Sequence, residues 1–267
     1  MSRAPQRAGR VVLALASAAA LASGARVCAQ PPPGPAPAPR PPREAAPFDM
    51  TGTWVSIVNE DWRWRMVTPP KGDTTSVQPL NAQGRAVAQA WDTAEDGSCK
   101  AYGAPALLRM PTRLKISWQS ADVLKLETDA GRQTRLLRFA APGAALAPGG
   151  APSLQGDSIA QWQFTLRRVS GLGPPPPGPP PPGGSLKVTT TNLLPGWLRR
   201  NGVPYSERTT LTEYFDQFAA PNGVQWLVVT TVVEDPTYLR GPFVTSTHFR
   251  REQDASKWSP KSCRSEP

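Results

Sequence analysis

The chain has 267 residues, of which 33 are proline, one is histidine and three are cysteine, and its 30 basic against 20 acidic side chains give a net charge of +10. So few histidines and cysteines argue against zinc sites and histidine-based hydrolytic triads, which need several such groups brought together. The basic residues are scattered singly or in pairs (Arg167-Arg168, Arg199-Arg200, Arg250-Arg251), without the clustered patch or motif that nucleic-acid recognition requires; anionic cell-envelope polymers remain as loose partners.

In chain order, Arg3, Arg7 and Arg10 precede an apolar run from Val11 to Ala22, too short to span a membrane, which takes about 20 apolar residues. Val27 and Ala29 stand where a signal peptidase accepts small residues, so 1–29 is expected to be a cleaved secretory signal, with a cut after Ala25 as the lesser alternative. A lipid anchor on Cys28 is disfavoured by the preceding Ala25-Arg26-Val27. Removing the signal takes away four arginines and no acid, which leaves a charge of +6 on a periplasmic or secreted protein. Residues 30–47 (QPPPGPAPAPRPPREAAP) form a Pro/Ala-rich tether that favours extended polyproline II and builds no core.

The body is expected to run from 48 to 267. Asn59-Glu60-Asp61 is expected to turn the chain between TGTWVSIV and WRWRMV, two strands of a hairpin, with Trp62 and Trp64 on one face and Arg63 and Arg65 on the other. Asn81 is a cap for a helix over 82–91. A period of two then dominates: Leu114, Ile116 and Trp118 alternate with Lys115 and Ser117, and Leu124 and Leu126 with Lys125 and Glu127. In 132–139, Thr134, Leu136 and Arg138 alternate with Arg135, Leu137 and Phe139, and runs at 185–191, 209–215, 224–233 and 242–249 are rich in β-branched and aromatic residues between turn signals such as Pro221-Asn222-Gly223. PGWLRRNG (195–202) reads as a second short helical turn. A polyproline tract, GLGPPPPGPPPPGG at 171–184, cannot be a central strand and is expected to be an exposed, disordered insertion at about 170–185. The fold class is therefore mainly β: a single antiparallel barrel-like domain of about nine or ten strands with one or two short helices.

Several runs together resemble a broad set of uncharacterised secreted bacterial β-barrel proteins, lipocalin-like in type and without an established activity. The resemblance rests on TGTW, CKAYGAPALLRMP, LKISWQ with LKLETDAGRQTRLLRF, SIAQWQ, SLKVTTTNLLPGWLRRNGVPYSERTTLTEYF and VVTTVVEDPTYLRGPFVTSTHFRR. Its most specific blocks are Trp197, Leu198, Gly202, Pro204, Ser206 and Glu207, and then Glu234-Asp235-Pro236. Gly52 and Trp54 are also similar to the lipocalin opening motif. The resemblance implies a lipocalin-like barrel with an enclosed face; it carries no catalytic residues over. The chain departs from that pattern by the insertion around 163–184.

After the signal is removed, Cys99 and Cys263 remain, and in an oxidising compartment they are expected to pair as a structural disulfide. His248 has no nucleophile elbow to serve. Asp92, Glu95 and Asp96 lack calcium-loop spacing, and no metal or cofactor is expected. Glu60, Asp61, Glu213 and Glu234 are the acids available to a glycosidase-type pair; Glu213 shares a strand face with Thr209 and Leu211. The leading expectation is a non-enzymatic protein that binds an apolar or aromatic small molecule inside the barrel, with Trp54, Trp62, Trp64, Trp118, Trp226 and Glu213 as candidate contacts. The alternatives are a cell-envelope scaffold or surface-interaction protein, whose aromatic patch would lie outside the barrel, and, less favoured, a hydrolase in which Glu60, Glu213, Glu234 or His248 converge.

Overall fold

The computed structural model describes residues 40–92, 94, 98–140, 150–165 and 183–263. The signal, residues 30–39 of the tether, Glu95, Asp96 and residues 166–182 of the insertion lie outside the described residues. The described chain falls in one compact unit that begins at Arg40.

The strands are β1 (Gly52–Ile57), β2 (Arg113–Trp118), β3 (Val123–Thr128), β4 (Ala130–Gly131), β5 (Thr134–Phe139), β6 (Asp157–Thr165), β7 (Gly183–Thr191), β8 (Gly196–Arg199), β9 (Val203–Tyr205), β10 (Thr210–Ala219), β11 (Gln225–Glu234), β12 (Phe243–Arg251) and β13 (Lys261–Ser262); the α-helices are α1 (Trp62–Arg65), α2 (Ala82–Ala90) and α3 (Ala104–Leu107). Nine strands close a barrel in the order β1-β12-β11-β10-β7-β6-β5-β3-β2. The expected all-antiparallel barrel needs correcting at one seam: β5 and β6 run parallel, with Leu137 beside Ser158 and Phe139 beside Ala160. The reason is parity. Strict up-and-down alternation closes a ring only with an even number of strands, so a nine-stranded barrel must carry a parallel neighbour pair, and such a pair needs a long crossover.

The period of two fills the barrel. Trp54, Leu114, Ile116, Leu124, Leu126, Leu137, Ala160, Leu186, Val188, Phe215, Leu227, Val229 and Phe249 point inward and are buried in one cluster. At one end Phe48, Trp162, Phe139 and Trp118 pack ring to ring at 5.4–5.6 Å. Residues 40–47, expected in the tether, belong to the packed body there: Trp162 Nε1 donates to the Pro42 carbonyl (2.8 Å) and Arg43 N to that of Ala121 (3.1 Å).

The opposite end carries a cap with its own apolar cluster, in which Val77, Leu80 and Ala88 meet Leu198, Val203, Tyr205, Leu239 and Phe243. Asn81 caps α2 as expected, accepting from Gly84 N at 2.9 Å. PGWLRRNG is not helical; it forms β8 and the turn of a β8–β9 hairpin. Gly202 makes that turn with φ +80°, and a Cβ there would lie 2.1 Å from the Trp91 ring, so both backbone and packing require glycine. The two blocks singled out in the sequence meet here through Asp235. Its carboxylate accepts from Ser206 N and Oγ, Thr209 Oγ1, Thr237 N and Tyr238 N, tying β9 to the β11–β12 connection. That network is structural, an aspartate turn with two extra clients.

The C-terminal tail returns to the cap end, where β13 pairs with β4 and Cys99 and Cys263 form a disulfide, with Cα atoms 5.2 Å apart across 164 residues of sequence. Among the described residues no helix is long and apolar enough to cross a membrane.

Candidate functional site

The six candidate contacts do not share one place. Trp54 is fully buried in the barrel core, its Nε1 donating to the Met50 carbonyl (3.0 Å). Trp118 belongs to the aromatic end. Trp226 faces outward, paired with Phe218 and Arg250. Glu213 does point into the barrel, but Arg135 occupies it: Arg135 Nη1 and Nη2 donate to its two oxygens at 2.9 and 2.5 Å, and Nη2 also reaches Thr190 Oγ1 at 3.2 Å and Ser158 Oγ at 3.4 Å.

Trp62 and Trp64 correct the expected hairpin. Their stretch is the helix α1, not a strand. Asp61 adopts φ 52°, a left-handed conformation uncommon outside glycine, and its carbonyl then accepts from Trp64 N and Arg65 N. Four residues are too few for a period of two to outweigh that coil. It turns Arg65 inward, while Trp62 stays exposed and Trp64 half-buried.

The inward turn builds a site that sequence reasoning missed. A pocket of about 240 Å³ opens beside α1, walled by Trp64 and Met66–Pro69, by Tyr102, Ala106 and Arg109–Pro111, and by Leu198–Arg200. Four of its lining residues are arginine (65, 109, 199, 200) and none is acidic. Arg65, Arg109 and Arg199 are only 5–7% exposed. Arg65 Nε donates to the Arg109 carbonyl (3.0 Å) and Nη1 to Glu60 Oε1. Arg109 Nη2 donates to Asp61 Oδ2 (2.7 Å). Arg199 Nε donates to Ser76 Oγ (2.9 Å). The Arg109 and Arg199 guanidinium carbons lie 6.0 and 5.4 Å from the Phe243 ring centroid, which seats both over the start of β12.

The cluster is electrostatically loaded. Arg65 Nη2, Arg109 Nε and Arg109 Nη1 are buried without a hydrogen-bond partner, although a buried guanidinium ordinarily spends its five donors. Burial, and then the Arg109 and Arg65 charges, push Arg199 down to about 9, with Asp61 opposing. Burial likewise lowers Arg65, against the pull of Glu60. On the outer side His248 Nδ1 lies 3.0 Å from Glu60 Oε2, so two of the four groups named for hydrolysis meet. Glu213 is inside the barrel and Glu234 is exposed on another strand, so the four do not converge. Among the described residues no group of three or more potential metal ligands occurs.

Two signals for the pocket were present in the sequence: two acids directly before WRWR, and single arginines embedded in the apolar blocks ALLRMP and WLRR. Neither has a period or spacing that names a site. Compared with known proteins, the chain matches no family model, no curated protein and no solved structure.

Proposed function

We propose that this chain is a secreted or periplasmic, non-enzymatic binding protein with a lipocalin-like barrel as its rigid scaffold, and that its small-molecule ligand carries an anionic group held at the arginine pocket. The inward barrel positions are occupied by aliphatic and aromatic side chains and by the Arg135–Glu213 pair, so the ligand is placed outside the barrel, on the cap. The carrying observation is the convergence of three buried guanidiniums on one pocket without a lining acid, with three nitrogens unpartnered. Guanidinium donors match carboxylate and phosphate oxygens bidentately, and Glu60 and Asp61 supply two carboxylates to the three cations, so an anion in the pocket offsets the positive charge left over.

The test is a thermal-shift and calorimetric series with acetate, benzoate and phosphate against chloride at matched ionic strength. The oxyanions are expected to raise Tm with concentration, and Arg109→Gln to abolish the effect. Arg200→Gln, at an exposed position of the lining, is expected to fold normally and to weaken it. Equal response to chloride and oxyanions overturns the reading. The second reading, a surface-interaction protein of the cell envelope, is favoured by the exposed apolar strip Trp62, Met66 and Val67; it predicts capture of an envelope component without any oxyanion effect.

A further inference from the structure

The pocket is not uniformly cationic. Beside the arginines its wall is apolar, with Trp64, Met66, Val67, Pro69, Met110 and Leu198. Two of these are methionines, flexible side chains that adapt to irregular ligand shapes. The apolar surface does not stop at the rim. Met66 and Val67 are 59% and 60% exposed, and Trp62, one helical turn before Met66, is 58% exposed, so positions 62 and 66 share a helix-like face. An exposed Trp-Met-Val strip thus adjoins a pocket lined by three buried arginines.

Resting on the reading of this pocket as an oxyanion site, we infer that its ligand is an amphiphilic anion: a carboxylate or phosphate monoester head on Arg65, Arg109 and Arg199, with an unbranched or aryl apolar body that leaves over Met66, Val67 and Trp62. Size supports this division. At about 240 Å³ the pocket is below the roughly 300–1,000 Å³ typical of sites that enclose a whole drug-sized ligand. It accommodates a head group with a few carbons, and the remainder must lie on the strip outside. A ligand that was only an anion would leave the apolar wall wet, and one that was only apolar would leave the spare donors of Arg65 and Arg109 buried without an acceptor.

The experiment is an NMR titration of the full chain with acetate, octanoate, octyl phosphate and octanol, each below its aggregation threshold. Octanoate is expected to bind at least about tenfold more tightly than acetate, since each methylene buried contributes about threefold to fourfold; octyl phosphate is expected to behave like octanoate, and octanol to bind weakly. Trp62→Ser with Met66→Ser, both at exposed positions, should bring the ratio of octanoate to acetate affinity down toward one; an unchanged ratio overturns the inference. If acetate and octanoate bind equally, the amphiphile inference falls and the oxyanion site stands. If no anion binds, both fall. If octanol matches octanoate, the head-group assignment is overturned. A protein that ignores monomeric octanoate yet binds vesicles containing phosphatidylglycerol is a membrane-surface protein, and the inference is overturned in that case too.

Discussion

Arg135 and Glu213 face each other across the inside of the barrel through two parallel hydrogen bonds, and neither side chain has any exposed surface. A pair of that kind adds little net stability, because the cost of taking both charges out of water rivals their attraction. Glu213→Ala leaves an uncompensated guanidinium in the core and is expected to cost roughly 3–5 kcal/mol. The double change Arg135→Met with Glu213→Leu is expected to be near neutral or stabilising. Urea denaturation of the two variants beside the parent measures both.

The pocket has a pH signature. Arg199 sits at about 9, so it is charged through the neutral range, and oxyanion affinity is expected to be flat between about pH 6 and 8 for a fully ionised ligand. Above about 9 the free protein loses that charge and affinity is expected to fall. The effect on stability has the opposite sense. The folded value lies below the ordinary guanidinium value, so above about pH 9 the unfolded chain holds more protons, and this one group makes stability rise with pH through that window. Calorimetric titration with benzoate from pH 6 to 10, beside Arg199→Gln, checks the affinity profile; the variant should lose the decline above 9.

The disulfide closes a very long loop, and on a chain-entropy estimate contributes at most about 5 kcal/mol. It also braces a pocket wall, because Tyr102 and Ala130 line the pocket, Tyr102 following Cys99 in the same short turn and Ala130 pairing with Lys261 beside Cys263. Reduction, or Cys263→Ser, is expected to lower both Tm and oxyanion affinity. A thermal melt and an octanoate titration with and without reductant measure the two effects; unchanged affinity would separate the wall from the bridge.

Gly202→Ala is expected to destabilise by roughly 1–3 kcal/mol or more, since it combines a left-handed backbone with a Cβ in contact with Trp91. Asn81→Ala, which removes the cap of α2, is expected to cost about 1 kcal/mol. Chemical denaturation of the two variants under the same conditions should rank them in that order.

Much of the barrel was legible residue by residue. The alternations at Leu114/Ile116 and Leu124/Leu126 mark inward faces because successive side chains of a strand point to opposite sides, and all four are buried. Asn81 is readable as a cap, and Asp235-Pro236 as a turn, because each acts on backbone a few residues away. WRWR was misread for the same local reason: its alternation spans four residues, and the coil there is set by Asp61 at φ 52° and by the distant carbonyl of Arg109, 44 residues from Arg65.

By itself, then, the sequence determined a mainly β chain with one capped helix, inward-facing aliphatic strands and two cysteines to pair; these follow from side-chain period, capping chemistry and composition. Only the tertiary structure decided the parallel β5–β6 seam, because it follows from closing an odd number of strands, a property of the ring and of no single strand. Only the tertiary structure likewise brought Arg65, Arg109 and Arg199 to one pocket. They come from α1, the turn after α3 and the end of β8, and elements of four residues are too short to carry a period from which their meeting could be read. Charge that looks dispersed along the chain is concentrated in space by the cap that folds over the barrel end.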